Sequence, residues 1–219
     1  MRGEALPRGQ RFRLVMFDLD GTLIDTAPEI ADAVNAYLAE RGLPQVDSTQ
    51  VRNLIGHGAR RLLASVLGHE PNEDEWSGFA QHYLERCGRN SRLYPGVREA
   101  VVELRRRGVK LAVVTNKEQR FTRPLLRTHK LLDCFDVLVC GDSLEAKKPN
   151  PLPLRHCLDK FRVAAADALY VGDSETDVLT ARNAGVAMWA VPYGYNGGEP
   201  IEASKPDRVI AGLANLLSA

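Results

Sequence analysis

The sequence predicts an α/β protein: a doubly wound parallel sheet with a helical unit inserted after its first strand. Three observations carry this. Five short apolar runs of four to six residues, rich in β-branched side chains, are spaced along the chain. Segments of helical periodicity alternate with them, the pattern of successive βαβ units. One gap, between the first run and the helix near Val97, spans about 80 residues, far more than a single crossover needs.

The elements follow in order. Phe12–Phe17 is the first buried strand and ends abruptly at Asp18. The long gap then shows three helical stripes. Ile30, Val34, Tyr37 and Leu38 make the first; Leu62, Leu63, Val66 and Leu67 the second; Trp76, Phe79, Ala80, Tyr83 and Leu84 the third. The gap offers no convincing strand, so residues 26–92 are expected to form a helical bundle inserted into a core made of residues 1–25 and 93–219. Val97, Val101 and Leu104 mark the next helix, stopped by Gly108. Strands are expected at Val109–Val114, Val137–Cys140, Ala168–Val171 and Ala187–Val191, with helices around Phe121 and Leu125, around Leu154 and Leu158, and from Val178 to Ala184. Gly194, Gly197 and Gly198 read as a turn after the fifth strand.

Composition bounds the function. Of 219 residues, 44% are hydrophobic and 26% charged, an ordinary globular balance that excludes wholesale disorder. The formal net charge is +1, from 29 Lys and Arg against 28 Asp and Glu, which argues against nucleic acid as the main partner. No apolar stretch approaches the roughly 20 residues that span a bilayer, and the Arg-rich opening segment lacks a signal peptide's apolar core. Cys87, Cys134, Cys140 and Cys157 have no paired spacing and are expected to be reduced thiols, and the five histidines show no zinc-ligand spacing. The expectation is a cytoplasmic protein, monomer or homodimer, acting on a small molecule and on neither nucleic acid nor membrane.

In an open parallel sheet, ligands bind beyond the carboxyl ends of the strands, so the residues that follow each strand matter most. The first strand runs into Asp18-Leu19-Asp20-Gly21-Thr22, the second into Thr115-Asn116-Lys117, the third into Gly141-Asp142 and then Lys147-Lys148-Pro149-Asn150-Pro151, the fourth into Gly172-Asp173-Ser174-Glu175-Thr176-Asp177. Each alone has an ordinary explanation as a helix cap or a solvated charge. Together they deliver carboxylates, a hydroxyl and an ammonium to one rim. Crowded carboxylates stay ionised only with a compensating cation, and an all-oxygen set suits Mg2+. Lys148 adds positive charge, while Thr115 and Asn116 offer donors to phosphate oxygens. The rim reads as a phosphoryl-transfer site.

Asp-Leu-Asp-Gly-Thr after a strand, Thr-Asn after the second, Lys-Pro-x-Pro, and Gly-Asp-Ser-x-x-Asp resemble, in that order, the four signature motifs of the haloacid dehalogenase superfamily. Within it the chain is most similar to the phosphoglycolate phosphatase family, over all but about the first ten residues. The segments FDLDGTLIDTAP, IGHGARRLL, VVTNK, KKPNPLPL, VGDSETD and PYGYNGGEPI carry the likeness. The resemblance implies a Rossmann-like core with a helical cap over residues 26–92. It implies a Mg2+-dependent phosphomonoester hydrolase converting 2-phosphoglycolate to glycolate and phosphate through an aspartyl-phosphate. Asp18 would be the nucleophile and Asp20 the acid, then base. Asp18, the backbone carbonyl of Asp20, and Asp173 would hold Mg2+. Thr115 and Lys148 would hold the phosphoryl group, with Asn116 beside them, and Asp177 would orient Lys148 or a metal-bound water. Arg60 or Arg61, on the helix after Gly56 and Gly58, would read the substrate's carboxylate.

Other readings stay open. A phosphatase for another small ester, a pyrophosphatase or a phosphomutase would use the same core. A dehalogenase needs no acid for an alkoxide, which disfavours it here. A non-enzymatic phosphoreceiver module also places Asp, Thr and Lys at strand ends, but it needs neither Asp20 nor a large insertion.

Overall fold

The computed structural model describes residues 12–218, so the Arg-rich opening segment read above lies outside the described residues. The chain enters on β1 (Leu14–Phe17), makes the short β2 (Ile24–Asp25), and passes into four helices: α1 (Ala27–Glu40), α2 (Ser48–Asn53), α3 (Ala59–Leu67) and α4 (Glu73–Arg86). It returns through β3 (Arg92–Leu93) to α5 (Val97–Arg106), β4 (Lys110–Val114), α6 (Gln119–Thr128) and β5 (Val137–Val139). Then come α7 (Leu152–Phe161), β6 (Ala168–Gly172), α8 (Glu175–Ala184), β7 (Ala187–Ala190) and β8 (Arg208–Val209).

Six strands form one parallel sheet in the order β5-β4-β1-β6-β7-β8. This is the doubly wound α/β arrangement that the sequence predicts, and the first strand lies at its middle. The chain fills positions on one side of β1 with β4 and β5, then crosses to the other with β6. That reversal opens a crevice at the carboxyl ends of β1, β4 and β6.

The period-2 alternation of each strand decides which face a side chain covers. Val15 and Phe17 of β1 join Leu111 and Val113 of β4 and Leu169 and Val171 of β6 in one apolar layer, packed under α5. Leu14 and Met16 join Ala112, Val114, Ala168 and Tyr170 in the opposite layer, under α7 and α8. Both faces are buried, which is why these strands read as continuous apolar runs. Each fully buried Leu, Val or Phe contributes about 1.5–3 kcal/mol.

A third apolar cluster belongs to the inserted helices. Val34, Tyr37, Leu63, Phe79 and Tyr83 are buried there, joined by Phe121 of α6 and by Tyr195 from the loop after β7. The Phe79 and Tyr37 rings meet edge to face, and Tyr83 stacks on Phe121 with centroids 4.4 Å apart. The stripe Trp76, Phe79, Tyr83 is therefore core packing. Asn72 and Glu75 close a capping box that fixes where α4 begins.

The structure adds elements with little sequence signal. The two-residue strands β2 and β3 pair antiparallel at the point where the chain leaves and rejoins the sheet. The expectation of no strand in the insertion thus meets an exception at its edge, since Arg92 belongs to β3. Helix α2, six residues held by an Asp47–Gln50 capping box, is too short to show a period. Strand β8 extends the sheet by a sixth member, because Ile210 N–H bonds the Ala190 carbonyl beyond the glycine-rich turn. No described helix is long and apolar enough to cross a membrane.

Candidate active site

Asp18 follows the last residue of β1, and its backbone N–H donates to the Val171 carbonyl of β6, which sets it at the carboxyl rim. Asp173 follows β6, Thr115 follows β4, and Lys148 lies on the loop after β5. All four are buried. The rim residues named from the sequence therefore do meet at the carboxyl edge of the sheet.

Lys148 is the hub of one half. Its Nζ donates to Asp177 Oδ1 at 2.7 Å and to the Tyr170 hydroxyl at 3.0 Å, and lies 2.9 Å from Asp18 Oδ1. That last contact is a close ion pair with poor hydrogen-bond alignment, so this Asp18 oxygen has no aligned donor. Asp177 is saturated: Oδ1 meets Lys148 and Tyr170, while Oδ2 accepts from Asp173 N, Ser174 N and Ser174 Oγ. Burial alone would push its carboxyl up, but Lys148 and these donors hold it below the ordinary range. Asp177 fixes Lys148 and has no lone pair to spare.

Asp18 and Asp173 are in the opposite condition. Burial is the main cause that raises Asp18 to about 7, with Lys148 opposing and Asp177 adding to the rise. Burial, then the charges of Asp177 and Asp18, raise Asp173 well above the carboxylate range, against hydrogen bonds from Thr22 Oγ1 and Tyr195 N. Burial depresses the Lys148 ammonium, yet Asp177 and Asp18 more than reverse this, and it stays charged. A Cβ at Gly21 or Gly194 would collide with the Asp173 carboxylate, so both positions require glycine. The carboxylates of Asp18, Asp173 and Asp177 lie within 4.8 Å of one another. Two under-compensated carboxylates and an oxygen without an aligned donor form an all-oxygen cluster that fits a hard divalent cation.

The other half faces a small cavity of about 30 Å3 between sheet and inserted helices. Asp18, Asp20, Thr115, Asn116 and Lys117 line it from the core; Ile30, Ile55, Leu62, Phe79 and Tyr83 roof it. Asp20 accepts from Lys117 Nζ at 2.7 Å and 2.9 Å and from Thr26 Oγ1 at 2.6 Å. Oδ1 thus carries two of these bonds and Oδ2 one, which leaves Oδ2 able to carry a proton, while the backbone carbonyl remains for the expected cation. Thr115 Oγ1 accepts from Lys117 N at 3.2 Å, which leaves the hydroxyl proton for another acceptor.

Two expectations need correction. Arg60 is not at the cavity. Its guanidinium donates to Pro71 O at 3.0 Å and Glu73 Oε1 at 2.7 Å and lies over Trp76, on the outer side of α3. Arg61 is exposed. Helical spacing located α3 but not the side of it that meets the core. Asn116 is at the cavity, yet both amide protons are spent, on Gly56 O at 2.9 Å and Lys148 O at 3.1 Å. Its side chain fastens the inserted loop to the core and has no donor left for a phosphate.

Two further residues carry little sequence signal. Lys117 stands at the rim with no motif to assign it a role, because its partner Asp20 is 97 positions away. Tyr195 lies in the glycine-rich segment that reads as a turn. Its hydroxyl accepts from Thr26 N at 2.8 Å and Ala27 N at 2.9 Å and donates to Asp25, so it pins the start of α1.

A carboxylate cluster at the switch point of a parallel sheet, under a helical insertion after the first strand, defines a class. The sequence profile of the haloacid dehalogenase-like hydrolases matches residues 15–191. The chain belongs to that family. It is 42% identical to a phosphoglycolate phosphatase of Nitrosospira multiformis, over 92% of each chain. A phosphoglycolate phosphatase of Vibrio vulnificus is 40% identical, over 95% of this chain and 96% of that one. Among solved structures, a Haemophilus somnus protein described as a predicted phosphoglycolate phosphatase superposes with a TM-score of 0.85, at 36% identity over 95% and 97% of the chains. CbbY from Rhodobacter sphaeroides, solved in complex with phosphate, gives 0.81 at 26% identity over 94% and 96%. The chain is a phosphatase.

Proposed function

We propose that the chain is a Mg2+-dependent phosphomonoesterase whose substrate is 2-phosphoglycolate, working through an aspartyl-phosphate on Asp18. One observation carries the reading. A buried carboxylate with an oxygen lacking an aligned donor stands at a cavity that also presents Asp20 and Thr115. The relatives named phosphoglycolate phosphatase supply the substrate.

Asp18 attacks phosphorus in line; the Asp18 O–P bond forms as the ester P–O bond breaks. Asp20, entering the cycle protonated, gives that proton to the leaving alkoxide, then takes one from the water that attacks the aspartyl-phosphate, releasing phosphate and restoring both Asp18 and the protonated Asp20. Thr115 and Lys148 hold the phosphoryl oxygens, and Asp177 with Tyr170 keeps Lys148 aimed. Lys117 and Thr26 hold the Asp20 carboxylate in place. Mg2+, held by Asp18, Asp173 and the Asp20 carbonyl, would offset the repulsion between the nucleophile and the phosphate dianion. Residues 26–92 act as the cap over a core of residues 1–25 and 93–219, excluding water from the reacting groups.

The test is kcat/KM across a panel of phosphorylated metabolites with Mg2+. 2-Phosphoglycolate is expected to lead the panel. A higher value for a larger sugar phosphate, or for pyrophosphate, would overturn the substrate assignment and leave the phosphatase chemistry standing.

A further inference from the structure

The proposed substrate carries two anionic ends, and the structure shows an unambiguous place for only one of them. The phosphoryl group belongs beside Asp18, Thr115 and Lys148. The short remainder ends in a carboxylate, and it must be recognised in the cavity under the inserted helices. The roof there carries no charge: Ile30, Ile55, Leu62 and Phe79 are apolar, Gly56, Gly58 and Ala59 bring backbone at the start of α3, and the buried Tyr83 hydroxyl has no partner. Arg60 and Arg61 point elsewhere.

Among the residues lining the cavity, Lys117 is the one cation. It is buried, its Nζ lies 4.9 Å from the centre of the Tyr83 ring, and two hydrogen bonds tie it to the two oxygens of Asp20. An ammonium has three protons, so one remains after both bonds to Asp20. Its ammonium sits 2.7 Å from its counter-ion, with apolar side chains around it. A fixed, desolvated cation with a spare proton is suited to a carboxylate and wasted on a neutral group.

We infer that Lys117 is the residue that reads the substrate's carboxylate, and so sets the preference for a small phosphate ester with an anionic end. The inference rests on the substrate reading above. The same ammonium neutralises Asp20 when the cavity is empty. When a carboxylate-bearing ester enters, it binds the carboxylate next to Asp20, which places the leaving oxygen, one carbon from the carboxylate, within reach of the acid. A substrate lacking the carboxylate leaves Lys117 wholly on Asp20 and gains nothing from it. Selectivity thus arises from a core residue at the end of β4, with the inserted helices excluding water around it.

The experiment compares 2-phosphoglycolate with ethyl phosphate, which replaces the carboxylate by a methyl group. Wild-type enzyme should favour 2-phosphoglycolate by at least about 100-fold in kcat/KM. Lys117→Met should cut that preference by about 30-fold or more, whatever loss it imposes on both substrates through Asp20, and Lys117→Arg should restore part of it. If the wild type shows no preference, the substrate reading itself falls, and this inference with it. If the wild type shows the preference and Lys117→Met keeps it, the carboxylate is read elsewhere while the substrate reading stands. Should the Lys117 variants fail to fold, calorimetric titration of Asp20→Asn with both esters decides. Freed of its competing anion, Lys117 should tighten 2-phosphoglycolate at least fivefold more than ethyl phosphate, and equal gains would overturn the inference.

Discussion

Asp18 and Asp20 stand two positions apart, and each faces an ammonium. Lys148 lies 2.9 Å from Asp18 Oδ1 without alignment, whereas Asp20 accepts hydrogen bonds from Lys117 and Thr26. The contrast suits the proposed roles: a nucleophile needs a free lone pair, and a proton carrier needs a fixed direction. Asp20→Asn removes the proton and keeps the shape. It is expected to lower kcat on 2-phosphoglycolate by about 10²–10⁴-fold, and less on p-nitrophenyl phosphate, whose leaving group departs without protonation. Equal losses on both substrates, measured by steady-state phosphate release, would remove Asp20 from the first proton transfer. Asp18, Asp20, Asp173 and Lys148 were legible in the sequence because each follows a strand end or sits in a short motif that a parallel sheet delivers to its rim. Lys117 and Arg60 were not. The partner of Lys117 is far away in sequence, and the outward turn of Arg60 is decided by Glu73 on a neighbouring helix.

At the scale of elements, the connection between β1 and α1 governs how the inserted helices meet the sheet. Tyr195 reaches from the loop after β7 to accept from the first N–H groups of α1, while its own backbone N–H donates to Asp173 at 2.6 Å. One residue therefore touches both the carboxylate cluster and the start of the insertion. Tyr195→Phe leaves two buried N–H groups without an acceptor, which is expected to cost about 1–3 kcal/mol. At about 2–4 °C per kcal/mol for a chain of this size, the melting temperature should fall by several degrees. An unchanged Tm in thermal unfolding would show that the contact carries no weight. The sequence revealed the long helices and buried strands through their apolar periods. It hid β2, β3, β8 and α2, since two to six residues complete too little of a period to register.

For the whole molecule, the buried carboxylates tie stability to pH and to metal. Asp18, raised to about 7, and Asp173, raised well above its ordinary value by the same burial, bind protons more tightly folded than unfolded. The Asp18 contribution to metal-free stability is full below the ordinary carboxylate value of 3.8 and fades as pH rises through about 7. A cation must displace those protons, so it binds better as pH rises. Excess Mg2+ is therefore expected to raise Tm more at pH 8 than at pH 5.5, with stabilisation of about 2.7 kcal/mol when present at a hundred times its Kd. Thermal shift assays in chelator and in Mg2+ at both pH values check this. An equal or larger increment at pH 5.5 would contradict the assignment of the cation to these carboxylates.

The proposed mechanism requires Asp18 to form a bond to phosphorus. Acid-quenching the enzyme during turnover of 2-phosphoglycolate, followed by mass spectrometry of its peptides, tests that directly. The expected result is a phosphoryl group on the peptide bearing Asp18, absent from Asp18→Asn, with the variant's kcat down by at least about three orders of magnitude. Sustained phosphate release with no phosphorylated Asp18, or near-normal turnover by folded Asp18→Asn, would contradict it.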